Sequence, residues 1–178
     1  NIRKVLDNIS NGNIRIPTFQ RGFVWEAESI AFLMDSIYKG YPFGTIQLWR
    51  TREQLKCEKK IGNFEIFNRD EDYPIDYVLD GQQRLTSIFG VFQTEIEVEQ
   101  DADNPFNIYF DLDIEDNSQD SQFIAFGRQD EIDIERYFPL NVLFDTVKYR
   151  HATEHFSDAD TIKKIDKLQE KFKEVSIP

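Results

Sequence analysis

The chain has 178 residues, 40% hydrophobic and 14% aromatic, enough for a sizeable core in one domain or one and a half and too apolar for a disordered segment. The single Cys57 rules out an internal disulfide framework and a multi-cysteine metal site, and no run of 18 apolar residues is present to cross a membrane. A net charge of −12 argues against a uniformly basic, DNA-coating surface, and with no secretory leader in "NIRKVLDNIS" a reducing, cytoplasmic setting is the default expectation.

In chain order, "DNISNGNIRIPTF" reads as a short helix, an Asn-Gly turn and an extended segment, because Pro17 pushes Ile16 away from helical geometry. From Glu26 to Tyr38 the pattern turns helical. Ile30, Leu33, Met34 and Ile37 fall at i, i+3, i+4 and i+7, with Glu26 and Glu28 in the first turn and Gly40 as the stop. "YPFGTIQLWRT" supplies turn residues and then a strand with Ile46, Leu48 and Arg50 at alternate positions. Residues 52–72 read as charged loop with a short strand in "NFEIFN", and "IDYVLD" as a compact, largely apolar strand. After Gly81, the helical spacing returns with Leu85, Ile88, Phe89 and Phe92.

Beyond residue 94 the charge changes. Residues 95–135 hold 14 acids and one base, whereas 1–94 hold 12 of each and 136–178 hold eight bases against seven acids. The plain reading of the acidic stretch is a solvated loop or hairpin face; the sharper one is a nucleic-acid mimic or a metal-binding strip. Within it, "FNIYFDLD" alternates Phe106, Ile108, Phe110 and Leu112 as a half-exposed strand, which "SQFIAFG" is expected to pair across an acidic turn. "YFPLNVLFD" reads as a loop running into a short helix. The stretch 157–172 reads as a helix carrying Ile162, Ile165, Leu168 and Phe172, capped by Ser157 or Asp158. This order predicts a mixed α+β domain with a small sheet, not a doubly wound parallel one. A start at Asn and an end at "VSIP" read as an excised fragment.

Two stretches carry chemistry. In "YVLDGQQRLTSIF", Asp80 ends a buried strand, Gly81 turns the chain, and a helix begins. The first amides of a helix have no internal partner and lie at its positive end. Gly81 lets a ligand approach the backbone, Arg84 can close on a phosphate from one turn along, and Gln82 and Gln83 add neutral donors and acceptors. Asp80 would repel a bare phosphate, so it is expected to hold a divalent cation or orient a nucleophilic water. The plain alternative is a helix capped by Asp80 with Arg84 in a surface ion pair. In "IPTFQRGFVWEAE", Gln20 and Arg21 sit among Phe19, Phe23, Val24 and Trp25, a mixture suited to a planar ring and a phosphate together. The plain alternative there is a hydrophobic staple for the following helix.

"IPTFQRGFVW", a helix, "GYPFGTIQLW" and then "YVLDGQQRLTSI" resemble the family once catalogued as domain of unknown function 262. It forms the N-terminal module of GmrSD-type modification-dependent restriction enzymes and related antiviral proteins. The likeness is specific over residues 1–92 and diffuse afterwards. It implies a ParB/sulfiredoxin-like fold, in which a Gly-x-x-Arg turn at a helix start binds nucleotide phosphate; here that turn is Gly81, Gln82, Gln83 and Arg84. Residues 1–94 would then be the nucleotide-binding core, and 95–178 an acidic hairpin and helical extension of the same domain.

The resemblance further implies nucleoside triphosphate binding and hydrolysis in a restriction system coupled to recognition of phage or modified DNA, and the first reading of the site is a purine nucleoside triphosphate, GTP among them, bound with Mg2+. Asp80, Gln83 and Arg84 would be catalytic, with Asp80 the metal ligand. Gly81, Gln82, Gln83, Arg84, Gln20 and Arg21 would bind nucleotide, and Phe19, Gln20 and Trp25 would sense the DNA base. Cleavage would fall to a C-terminal nuclease module or a partner chain, and a homo-oligomer is compatible with the reading. The alternative is a DNA-binding module without turnover, in which the cradle holds a backbone phosphate.

Other patterns are weaker. "HATEH" spells His-x-x-Glu-His, but His151 and His155 are the chain's only histidines, so no third histidine ligand exists and a structural role is expected. Cys57, in the charged segment "REQLKCEKK", is expected to be an inert surface thiol. Asp111 and Asp113 share a strand face and could hold a cation, though a solvated face is the simpler expectation. No Walker-type lysine loop and no serine elbow are present.

Overall fold

Helix α1 (Ile2–Ser10) opens the chain, capped by the Asn1 side chain, which accepts from the Lys4 amide. The computed structural model describes residues 1–65, 74–94, 104–116 and 118–177. Strand β1 (Ile14–Arg15) follows, then α2 (Ala27–Lys39), closed by Gly40 in the left-handed conformation. Strand β2 (Gln47–Thr51) and the two-stranded ribbon of β3 (Lys60–Ile61) and β4 (Phe64–Glu65) precede β5 (Ile75–Asp80) and helix α3 (Gln82–Phe92). The second half holds β6 (Ile108–Asp111), β7 (Phe123–Ala125), β8 (Tyr137–Pro139), a single 3-10 turn at Leu140–Val142, α4 (Thr146–Thr153) and α5 (Ala159–Glu174). The result is mixed α+β, as expected.

β5 is the middle strand of a small mixed sheet. It pairs parallel with β1, Ile14 against Asp76, and antiparallel with β2, Trp49 against Tyr77, leaving β2 on the edge. Its two faces differ. Val78 enters the main core, whereas Tyr77 lies under the loop after β2, donating from its hydroxyl to the Glu53 carbonyl and accepting from the Leu55 amide. β5 therefore ends with Asp80 paired to Gln47 of β2 alone, past the end of β1, at the point where α3 starts.

Helix α3 departs from the amphipathic expectation. Leu85, Ile88, Phe89 and Phe92 are buried, but so are Thr86, Ser87, Gly90 and Val91 between them. A helix enclosed on every side needs small residues where neighbours press closest. Gly90 is such a place: a Cβ there would lie 2.4 Å from the Phe106 ring. Phe106 also packs on Phe23, Phe64 and the backbone of Gly62, joining the two halves of the chain in one core.

β6 is the centre of a second three-stranded sheet, flanked antiparallel by β7 and β8. "SQFIAFG" thus pairs with "FNIYFDLD". "YFP", read from the sequence as part of a loop entering a short helix, completes the sheet as an edge strand, where the missing amide of Pro139 is tolerated. Asp111 and Asp113 do share a side, and the cation there is a guanidinium: Arg136 makes a two-pronged bond to buried Asp111 and comes within 3.4 Å of Asp113. Asp111 is buried, so the solvated face expected for the pair holds for Asp113 alone. The 95–103 part of the acidic stretch and the end of "NFEIFN" lie outside the described residues.

α5 closes the core with Ile165, Leu168 and Phe172, and Asp158 is its cap. Ile162, expected on the same face, is 37% exposed. Lys164 donates to the carbonyls of Leu112 and Ile114, and Lys167 pairs with Asp116, so this helix also neutralises the loop after β6. Cys57 is half-buried rather than a free surface thiol, bonded to the Leu55 carbonyl and bridged through its backbone to Pro17. "HATEH" runs off the end of α4, with His151 near Glu154 and His155 near the Ile134 carbonyl. No group of three or more His, Cys, Asp or Glu side chains able to hold a metal ion occurs among the described residues, and no helix there is long and apolar enough to cross a membrane.

Two stability predictions follow from this packing. Helix propensity alone favours alanine over glycine by about 0.5–1 kcal/mol. Yet Gly90→Ala should destabilise by about 1–3 kcal/mol, because the new methyl meets the Phe106 ring. A lower denaturant midpoint would bear this out, and a higher one would contradict it. At Asp116, partial burial raises the carboxyl pKa, but bonds from Lys167 and Tyr38 outweigh it and hold the group below its ordinary 3.8. The stabilisation is therefore full above that value and lost as pH falls through the depressed one. Asp116→Asn should lower Tm at neutral pH by about 1–3 °C, and its deficit should shrink in acid.

Candidate functional site

The two unusual stretches of the sequence meet. Gln20, Arg21 and Trp25 from the loop before α2 line one cleft together with Asp80, Gly81, Gln82, Gln83 and Arg84 from the β5–α3 junction. The cleft measures about 240 Å³, enough for several phosphate-sized groups and too small to enclose a whole nucleotide.

Side-chain amides hold it together. Gln83, the second residue of α3, accepts at Oε1 from the Val24 amide at 2.9 Å and donates from Nε2 to the Gly22 carbonyl at 3.0 Å. Gln20 returns the contact, donating from Nε2 to the Leu79 carbonyl at 2.9 Å. Phe23, between the two bonded residues, packs on Phe106, and Trp25 packs partly into the core. The staple alternative for this segment is thus realised in part, by Phe23 and Trp25, while Gln20 is turned inward and not merely exposed.

Gly81 sits at φ +84°, ψ 16°, a left-handed conformation that a side chain rarely adopts. A Cβ there would stand 2.9 Å from the Thr45 carbonyl oxygen and 3.1 Å from the Ile46 Cα. Glycine is therefore required first by the close approach of the chain before β2; ligand access is not what the missing side chain provides here. As the N-cap, Gly81 offers no side-chain bond to the first turn of α3, and Leu85 is the first amide to close onto it. The alternative of an Asp80-capped helix is not what forms. The early amides of α3 lie at the positive end of the helix, beside the cleft.

Arg84 lies against that same chain segment. Its Nη2 donates to the Thr45 carbonyl at 2.8 Å and lies 3.4 Å from Asp80 Oδ2, a long contact for an ion pair. Its Nε is buried with no hydrogen-bond partner among the described residues. The side chain keeps 24% of its surface open and the Asp80 carboxylate 65%, so neither is sealed from a ligand. Two guanidinium groups and one carboxylate line the cleft, which is locally cationic in a chain of net charge −12.

Of the residues singled out in the sequence, Gln20, Arg21, Trp25, Asp80, Gly81, Gln82, Gln83 and Arg84 share the cleft. Phe19 does not line it and stands 67% exposed. Gln20 and Gln83 spend amide groups on backbone partners, which leaves them less able to read a base edge or aim a water than their types suggest. Gly44 and Thr45 lie in "GYPFGTIQLW", which the likeness includes, but no site role is read for them there; the run Pro-Phe-Gly-Thr gives no sign of which side chain it will meet.

An uncharacterised protein of Methanocaldococcus jannaschii, MJ0686, is 27% identical over 191 aligned residues, covering 89% of this chain. The chain spans 31% of that protein's length. The family described as "GmrSD restriction endonuclease, N-terminal domain" matches residues 2–177, well past the region in which the two motifs lie. That match takes in nearly the whole chain, the second sheet and α5 as well as the cleft, and so the chain belongs to the family of N-terminal domains of GmrSD restriction endonucleases.

Proposed function

We propose that this domain binds and hydrolyses a nucleoside triphosphate as the sensor module of a restriction system acting on phage or otherwise modified DNA. The observation that carries the reading is the convergence of Gln20, Arg21 and Trp25 with the Asp80–Arg84 junction on one cationic cleft at a helix start. A ParB/sulfiredoxin-like Gly-x-x-Arg turn, to which the motif points, would use the same four residues, Gly81 to Arg84.

In this reading the phosphates enter the cleft and the nucleoside lies at its mouth. The first amides of α3 donate hydrogen bonds to phosphate oxygens, and Arg84 stabilises the charge that grows on them during transfer. Arg21, exposed on the opposite wall, adds a second guanidinium. Phosphoryl transfer asks for positioning and charge neutralisation more than covalent help, and a small polar cleft can supply both. Gln83 keeps the two walls in register. Gln82, buried at the cleft, and Trp25 shape its floor and side.

Mg2+ would fit as a companion of the phosphates. Asp80 is the single exposed carboxylate on the cleft, and Mg2+ is ordinarily held by one or two carboxylates together with substrate phosphates and waters. The ion would neutralise phosphate charge there. DNA would meet the domain outside the cleft, where the exposed Phe19 offers a ring to a base from the same loop as Gln20. Cleavage would belong to a nuclease module or partner chain.

The test is phosphate release from GTP, ATP, UTP and CTP by the purified protein, with and without Mg2+. Wild type should release phosphate in the presence of Mg2+, and Arg84→Ala should lose about 10²–10³ in turnover. Equal background release by both proteins would end the reading. Asp80→Asn should raise the Mg2+ concentration needed for half-maximal rate by about tenfold or more. An unchanged Mg2+ requirement would remove Asp80 as a ligand.

A further inference from the structure

We infer that the Gly44–Thr45 turn is the positioning element of the cleft, fixing where the Arg84 guanidinium stands. The inference rests on the phosphate-site reading of the cleft and gives a role to two residues outside its lining, from the stretch "GYPFGTIQLW".

Two contacts carry it. The Thr45 carbonyl accepts from Arg84 Nη2 at 2.8 Å. Gly44 lies flush against the other side of the same group, where a Cβ would stand 2.5 Å from Nη1 and 3.0 Å from Cζ. Any other residue at position 44 would displace the guanidinium or the turn. The turn is itself fixed at both ends. Its upstream anchor is the left-handed stop of α2 at Gly40, and downstream β2 pairs with β5 from Gln47 onward. The Thr45 carbonyl and Ile46 also press on Gly81, so one short segment touches both the glycine and the arginine of the Gly-x-x-Arg turn.

The Asp80 carboxylate is too far from Arg84, at 3.4 Å, to aim it alone. The turn supplies what the long ion pair does not: a fixed acceptor on one side and a surface without a side chain on the other. A guanidinium held this way reaches a phosphate without first being reoriented, and its misplacement by about 1 Å can cost on the order of 10²-fold in rate.

The experiment is a double-mutant cycle in the full-length protein between Gly44→Ala and Arg84→Lys, read by Tm and by steady-state phosphate release. Lysine keeps the charge but lacks Nη1, the atom that the new methyl would meet. Gly44→Ala should lower kcat by about tenfold or more while KM moves less than about threefold. Its Tm loss should be clearly smaller in the Arg84→Lys background. The backbone strain of alanine at φ +87° is common to both backgrounds and cancels in the cycle. An unchanged kcat in Gly44→Ala, or an equal Tm loss in both backgrounds, overturns the inference. If wild type itself releases no phosphate, the nucleotide reading fails instead, and the Tm coupling alone decides whether the turn positions Arg84.

Discussion

The cleft exists because one glutamine side chain ties together two backbone segments far apart in sequence. Gln83 bonds Gly22 and Val24, some 60 positions upstream, and Gln20 answers by bonding Leu79. Each bond is of modest net strength, about 1 kcal/mol. Their geometry matters more than their sum, since the loop before α2 has no strand partner at that point to fix its height above the β5–α3 junction. Phe23 seats the loop in the core from below, and the amides then set its register.

The local conformation around the junction follows from similar constraints. β5 is held on both edges at Asp76 and Tyr77 and by β2 alone at Asp80, and Gly81 turns left-handed to start α3 under the Thr45 carbonyl. Arg84 is then one helical turn from Asp80 on the same side. The cationic lining stands apart from the acidic run that dominates the chain's net charge, whose described carboxylates are in part already paired: Asp111 with Arg136 and Asp116 with Lys167. A neutral N-terminal half and a heavily acidic segment are thus compatible with a local anion site.

Much of this was legible in the residues. Periodicity located α2, α3 and α5 to within about two residues, and the β5–Gly81–α3 junction stood out because an apolar strand, a glycine and a helical repeat follow directly on one another. That Gln20 and Arg21 would line the same pocket or an adjoining one came from the motif likeness, since no local pattern encodes a contact across some 60 residues; the place of Trp25 on the cleft was not foreseen. Illegible were the all-round burial of α3, which depends on Phe106 arriving from the second half, and the role of Tyr137–Pro139, whose proline reads as a strand breaker unless the strand is known to lie at an edge. Gln83 was misjudged for a general reason. An amide beside a cleft looks like a reader of ligands, and sequence cannot tell whether the backbone has already claimed both of its ends.

The long span of the Gln83 contact has a consequence for a chain still being made or partly unravelled. The two walls of the cleft face each other only once residues near 22 have met residues near 83, a non-local contact. Whatever binds across both walls must draw on that closure, so occupancy and tertiary order are thermodynamically linked. A ligand spanning both walls would in turn lend its binding energy to holding the loop in place.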